Sequence, residues 1–359
     1  MTLKKLSGFV ALAALVCVFC ATPAFAAKNF KNLSFMGGYV DRHPTPIRCW
    51  FPWFERAKTE NAGKLTFNYF TDGTLYPIKE SFEAVSDGRV DFGTVRASLF
   101  PGSMNLMGVM DLPGLSPNAI VGALAGQDLV EKFAEVRAEF PKNAIPYFAW
   151  ASASYQLHTI KPVKNISELK GKKIIVWDAT TLEAIRLIGG NPIRLESPDT
   201  YLALSKAMAD GVYCPIAPIR SFKITEACKY HLVFNLGTGS FNMFVNKDLW
   251  DSMPADIQKW LNDNGGLKMA LETGKSLEDG QKDDIVWMEA QGHTLFYPTQ
   301  AERKEFVDRL APMKEQWVKD CVSRGIKEDI ARKVLKFAED RVAYHTEKML
   351  AGEYGDYKM

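Results

Sequence analysis

Long apolar runs are nearly absent from this 359-residue sequence. The exception is 9–21, shorter than the ~20 residues that cross a bilayer. Beyond it, nothing predicts a membrane span. A charge excess is also missing: 44 Lys+Arg stand against 42 Asp+Glu. Without Lys4 and Lys5 the balance is 42 against 42. A general nucleic-acid binder would carry a basic surplus, so that class is set aside, although a local anion site is not. Catalytic spacings are missing too. His43, His158, His231, His293 and His345 are scattered, without an HExxH pair. There is no GxSxG elbow, no GxGxxG and no phosphate loop. Cysteine is scarce: six residues, none in a CxxC or zinc spacing. Low-complexity tracts are absent, so no flexible linker separates domains. The chain is not expected to be an enzyme, and no cofactor or metal is expected.

What is present begins with an address. Lys4 and Lys5, the apolar run and the Ala24-Phe25-Ala26 triplet predict a cleaved leader over 1–26, with Ala27 opening the mature protein. Cys20 invites a lipoprotein reading, but Val18-Phe19 before it is a poor lipobox. Export to the periplasm is the expectation. Cys17 and Cys20 leave with the leader, while Cys49, Cys214, Cys228 and Cys321 remain. Cys214 and Cys228 are the nearest pair, and paired and unpaired readings both stand.

The stretch 161–215 reads strand, helix, strand, helix, strand, each strand ending on a polar or aromatic segment. Ligands of open α/β sheets bind beyond the carboxyl ends of such strands. A helix, an Asp-Gly pair and a strand occur at 78–95 and again near 200–215. These look like matching modules of two lobes. The expected units are 27–151 with 240–278, and 152–239 with 279–359. The segment 152–158 crosses between them, and 235–239 returns. Helices are predicted over 46–63, with Pro52 kinking or starting it, and over 118–140, 267–291, 299–324 and 327–350. Asp72 and Gly73 predict a turn.

Several pieces in this order resemble the DctP family of solute-binding proteins of tripartite ATP-independent periplasmic (TRAP) transporters. They are Gly37-Gly38 after the first strand, the Asp-Gly strand at 87–91, Asp-Leu-Pro-Gly-Leu at 111–115, Leu-Lys-Gly-Lys-Lys-Ile at 169–174, Gly189-Gly190, Ala-Asp-Gly at 209–211 and Asn-Lys-Asp-Leu-Trp at 246–250. The resemblance implies an α/β, two-lobed periplasmic binding protein with a ligand cleft between the lobes and a long helix spanning both. Its implied partners are a small organic anion and the small and large integral membrane subunits of the transporter. Uptake would be driven by an ion gradient. A monomer is expected. The sequence departs from the family where Arg usually follows the Lys-Ile pair: this chain has Ile175. Cys214 stands where Asn precedes the Pro of the second module. A second frequent Arg falls near Tyr155. The planar clamp for a carboxylate is therefore missing.

Arg96, at the mouth of the strand in the first module, is the first candidate to replace it, or else a surface ion-pair residue. Arg42 and His43 lie in the first cleft loop, where residues often carry function. Trp150, Tyr155, Trp177 and Tyr213 supply faces for stacking and N–H or O–H donors. Tyr213 and Cys214 are expected to face Arg96 together. Asp178 either orients a donor or caps the helix after it. Tyr39 and Phe241 are weaker candidates opposite. A sulfonate, which needs donors spread in space, fits a site without the clamp, and isethionate is one example. An aromatic or other carboxylic acid is the alternative. A sensor-associated binding domain and an exported hydrolase are the competing classes.

Overall fold

The structure is a computed structural model describing residues 30–357 except Asp72 and Leu236. The expected leader over 1–26, Asp72 of the expected turn and Leu236 of the expected return crossing lie outside the described residues.

Eleven strands form two sheets. They are β1 (Phe30–Met36), β2 (Leu65–Phe70), β3 (Phe92–Arg96), β4 (Ala144–Ala151), β5 (Tyr155–Thr159), β6 (Lys173–Val176), β7 (Asn191–Arg194), β8 (Gly211–Pro215), β9 (Tyr230–Leu232), β10 (Ser240–Asn246) and β11 (Thr294–Phe296). Sheet one runs β2-β1-β3-β10-β4, and sheet two runs β11-β9-β5-β8-β6-β7. In sheet one, β2, β1 and β3 are parallel and β10 runs antiparallel to β3 and β4. In sheet two, β7, β6 and β8 are parallel and β5 is antiparallel to β8. The two Asp-Gly modules end in β3 and β8, which hold equivalent positions. Each carries an aspartate that pins a neighbouring strand. The Asp91 carboxylate accepts from the Ser34 amide at 2.8 Å and hydroxyl at 2.9 Å. The Asp210 carboxylate accepts from the Lys173 amide at 2.8 Å. Gly211 permits the tight pairing of β8 with β5, because a Cβ there would come 2.5 Å from the His158 carbonyl oxygen.

The chain passes between the sheets three times, after β4, after β9 and after β10. The first passage is shorter than expected, since β5 already starts at Tyr155. The first two passages run side by side. The Ser152 amide donates to the Gly239 carbonyl at 2.8 Å, and the Tyr155 amide to the Gly237 carbonyl at 3.0 Å. The third passage contains the helix Gly266–Ala290, about 37 Å long at 1.5 Å per residue. It crosses the helix Ala119–Lys132 closely, where a Cβ on Gly274 would sit 2.8 Å from the Ile120 Cα. Its Met269, Ala270 and Leu277 belong to the core of sheet one. Its Met288 is buried with Ile175, Val212 and Cys214 of sheet two. One helix thus serves both cores, as the long-helix expectation held.

Three helix expectations need correction. The 118–140 helix breaks at Phe133, whose backbone is extended. The 299–324 helix divides into Gln300–Leu310 and Pro312–Ser323, because Pro312 has no N–H to continue the ladder. The 46–63 helix opens with a wide turn, Pro46–Trp50, before the α-helix Phe51–Glu60. There the Phe51 amide reaches back to the Pro46 carbonyl, and Pro52 lies in the first α-helical turn where its missing N–H is tolerated.

The histidines are not all scattered in space. The His158 and His231 Nδ1 atoms are 2.7 Å apart. The His231 Nε2 lies 2.8 Å from the His293 Nδ1. The Lys229 ammonium is 3.2 Å from the His293 Nε2, and the His158 Nε2 is 3.2 Å from the Cys214 carbonyl oxygen. An ammonium only donates and a carbonyl only accepts. Those two ends fix every tautomer between them. Lys229 donates to His293, His293 to His231, His231 to His158, and His158 to the Cys214 carbonyl. All three imidazoles are neutral. Burial holds His158 down at about 4 and His231 down at about 2. The four cysteines beyond the leader are buried free thiols. Among the described residues, no helix is long and apolar enough to cross a membrane and no cluster could hold a metal ion.

Candidate functional site

Arg96 ends β3, the middle strand of sheet one, and reaches sheet two. Its guanidinium donates to the Asp178 carboxylate at 2.8 Å and to the Tyr155 hydroxyl at 2.5 Å. Asp178 follows β6. Its other oxygen accepts from the Thr181 amide at 2.8 Å and caps the helix Ala179–Leu187. One carboxylate thus performs both roles considered for it. Tyr213 on β8 packs against Tyr155, with ring centroids 5.3 Å apart. Burial works against the charge on Arg96, but Tyr155, Asp178 and Asp111 outweigh it and hold the guanidinium protonated, above its ordinary value. Burial raises the Tyr155 and Tyr213 hydroxyls, which stay neutral.

The second parallel passage, Gly237 to Gly239, covers this group. A small cavity of about 10 Å³ lies beneath it, lined by Arg96, Asp111, Tyr155, Asp178, Tyr213 and Thr238 among others. A space of that size accommodates about one water-sized group. Three residues of its lining carry a buried polar atom without a hydrogen-bond partner: Arg96 Nε, Ser98 Oγ and Asp111 Oδ2. Buried polar groups are paired in the large majority of cases, and exceptions call for a reason. Three around one cavity mark a place for a polar atom, supplied by water or by a ligand. Burial pushes Asp111 up to about 7, against the pull of Arg96 and the Ser240 amide. A wider cleft of about 620 Å³ adjoins, sharing Ser98, Asp111 and Thr180 and reaching Arg194 and Arg324. That volume is typical of small-molecule sites.

The residues singled out from the sequence divide into three groups. Arg96, Tyr155, Asp178 and Tyr213 converge at the cavity. Tyr39, His43, Trp150 and Phe241 stand behind Arg96 on sheet one. Phe241 lies opposite both Arg96 and Trp150 in the strand pairing. Its ring stacks on Trp150 at 5.3 Å and sits 5.8 Å from the Arg96 guanidinium. Tyr39 stacks on His43 at 4.1 Å and accepts from the Trp150 indole at 3.2 Å. Burial holds His43 down at about 4, hence neutral. The third group misses the cavity. Arg42 is exposed. Trp177 turns away, donates to the Thr200 hydroxyl at 3.0 Å and packs on Phe222. Cys214 is fully buried in the same apolar cluster as Ile175. The reason is strand alternation. Tyr213 and Cys214 are adjacent in β8 and must point to opposite faces, while Trp177 and Asp178 part in the bend that follows β6. The sequence reading missed Ser98, Asp111 and Thr238. An acid within the apolar run 106–115 was the available signal for Asp111.

Residues 47–320 match the family model DctP, described as bacterial extracellular solute-binding protein, family 7. The chain is 26% identical over 293 residues to the C4-dicarboxylate-binding periplasmic protein DctP of Vibrio cholerae, covering 78% of this chain and 84% of that one. A TRAP periplasmic solute-binding protein from Desulfovibrio salexigens, solved in an open form, superposes with a TM-score of 0.79 at 24% identity, over 88% of this chain and 97% of that one. A TRAP solute-binding protein from Rhodoferax ferrireducens, solved with copurified benzoate, gives 0.79 at 23% identity, over 88% and 98%.

Proposed function

Because the chain belongs to the DctP family of bacterial extracellular solute-binding proteins, we propose that it captures a small organic acid between its two sheets, in the periplasm. It hands that acid to the small and large membrane subunits of a TRAP transporter. It is a binding protein and not an enzyme. The leader over 1–26 provides export, and 27–151 with 240–278 and 152–239 with 279–359 act as two lobes. The observation that carries this reading is the buried Arg96 guanidinium at the junction of the sheets, with an unpartnered Nε on the cavity lining.

The acid is an aromatic carboxylate first and a sulfonate second. The sulfonate expectation rested on the missing Arg at Ile175. Arg96 supplies a guanidinium that contacts Asp178, three residues further on, so the missing Arg no longer argues for a sulfonate. Phe241, partly exposed beside Arg96 and backed by the buried Trp150, offers a ring face for an aromatic acid. The benzoate held by the Rhodoferax ferrireducens protein agrees with that choice. Solute enters with the lobes apart. Groups from both sheets meet it only when they close, so binding favours the closed form by differential affinity.

Thermal-shift screening from Ala27 onward at about pH 6 with benzoate, succinate and isethionate tests this reading, since a ligand of the folded state raises the melting temperature. A rise with benzoate that disappears in Arg96→Ala is expected. No rise with any acid, or one that survives Arg96→Ala, overturns it.

A further inference from the structure

We propose that Asp111 makes this site prefer acids carrying a second, hydrogen-bond-donating group, a hydroxyl or an ammonium. The inference rests on the reading of Arg96 as the anchor for the acid. Asp111 ends the short helical turn Met107–Asp111 and is 9% exposed. Its Oδ1 accepts from the Ser240 amide at 2.5 Å. Its Oδ2 is buried, unpartnered and on the cavity lining, as is Arg96 Nε. The two orphans have opposite sense: Nε–H can only donate, and an ionised Oδ2 can only accept.

A plain carboxylic acid offers acceptors alone. It meets Nε–H and leaves Oδ2 without a donor. It also adds a third negative charge, beside Asp111 and Asp178, around the single positive charge of Arg96. A hydroxyl or ammonium on the ligand relieves both defects by donating to Oδ2. The Ser98 hydroxyl rotates and can serve either sense. A plain acid can bind only with Asp111 protonated and donating. The groups facing Asp111 are Arg96 and Asp178, with the Ser240 and Ser98 amides. The carboxyl stands near 7 in the empty site. Affinity for a plain acid should therefore fall as pH rises above about 7, and affinity for a donor-bearing acid should not.

Two matched series isolate the donor. Phenylacetate, mandelate and phenylglycine share one skeleton with hydrogen, hydroxyl or ammonium on the α-carbon, and succinate, malate and aspartate form the aliphatic set. Titration calorimetry at pH 8 should show at least one series in which a donor-bearing member binds tenfold or more tighter than the plain acid, since sites built to bond a polar group reject analogues lacking it by ~10⁴ or more. Asp111→Leu should erase that preference. Asp111→Asn should keep it for hydroxyl and reduce it for ammonium, and this variant carries the test if Asp111→Leu does not fold. If members of each series bind within threefold of one another, the inference falls while the role of Arg96 stands. If no acid binds, both readings fall.

Discussion

Two buried polar clusters lie within this molecule, and they are built on opposite terms. In the chain from Lys229 through three imidazoles to the Cys214 carbonyl, every nitrogen of the rings has a partner and every tautomer is fixed. Around Arg96 the strong bonds to Asp178 and Tyr155 coexist with three orphaned atoms, on Arg96, Ser98 and Asp111. A fully satisfied network rigidifies a core, whereas an incomplete one is costly unless something else completes it. The first cluster is complete within the chain, and the second is the one proposed above as the receptor. Charge alone does not distinguish them, nor does burial. What distinguishes them is whether each hydrogen-bonding atom has already been answered from within the chain.

The contrast breaks most sharply if charge is removed from the receptor without disturbing the fold. Arg96→Met with Asp178→Asn replaces a buried ion pair by neutral groups and keeps a capping side chain. Such replacements are often neutral for stability. Ligand affinity should fall by about 100-fold or more, at about 3 kcal/mol for two decades, with the urea midpoint nearly unchanged. A large loss of stability would mean that this pair is structural too.

The converse change is His231→Leu. It removes the central imidazole and leaves His158 and His293 each with an unpaired ring nitrogen. A loss of about 2–4 kcal/mol is expected from two such orphans, read by urea denaturation, with ligand affinity unchanged. Loss of affinity in a folded protein would instead couple the two clusters.

Protons separate the clusters as well. His158 and His231 are depressed to about 4 and about 2 in the fold, against about 6.5 when unfolded. The unfolded chain binds more protons below 6.5, so this contribution is complete above that value and is lost as pH falls toward 4. Asp111 has the opposite sign. Its carboxyl is raised to about 7, so the folded chain holds the extra proton between about 4 and 7. Stability from that source declines as pH rises through the window. Asp111→Asn should gain on the wild type from pH 5 to pH 8, by on the order of 2 kcal/mol. Melting curves across that range would check it. A constant difference would show that Asp111 ionises normally in the fold.

The smallest expected effect is at Phe241. Phe241→Leu keeps the strand but removes the ring between Arg96 and Trp150. A ring beside a guanidinium contributes about 0.5–2 kcal/mol, so binding of an aromatic acid should weaken a few-fold. Binding of succinate, which has no ring, should change less.

The sequence made much of the scaffold readable and little of the receptor. Strand and helix order followed from periodicity, and the Asp-Gly pairs marked two central strands because tight turns restrict which residues can stand there. Arg96 was found because it ends one of those strands. Faces were harder. Tyr213 and Cys214 were assigned one cleft although consecutive strand residues cannot share a face. The residues lining the cavity, among them 96, 111, 178, 213 and 238, converge only after separate segments fold. The histidine chain has the same origin, since His158, His231 and His293 meet across strands and not along one. Local signals such as Pro312 predict a break when they are heeded. Phe133 has no such signal, and the reason for its extended backbone is not apparent from its neighbours.

The two parallel passages between the sheets are joined at Ser152 to Gly239 and at Tyr155 to Gly237, and Gly237 to Gly239 also roofs the Arg96 cavity. Tether and wall are the same few peptide groups. The acid proposed above would lean on the strap that joins the two halves, so its release would be tied to their opening.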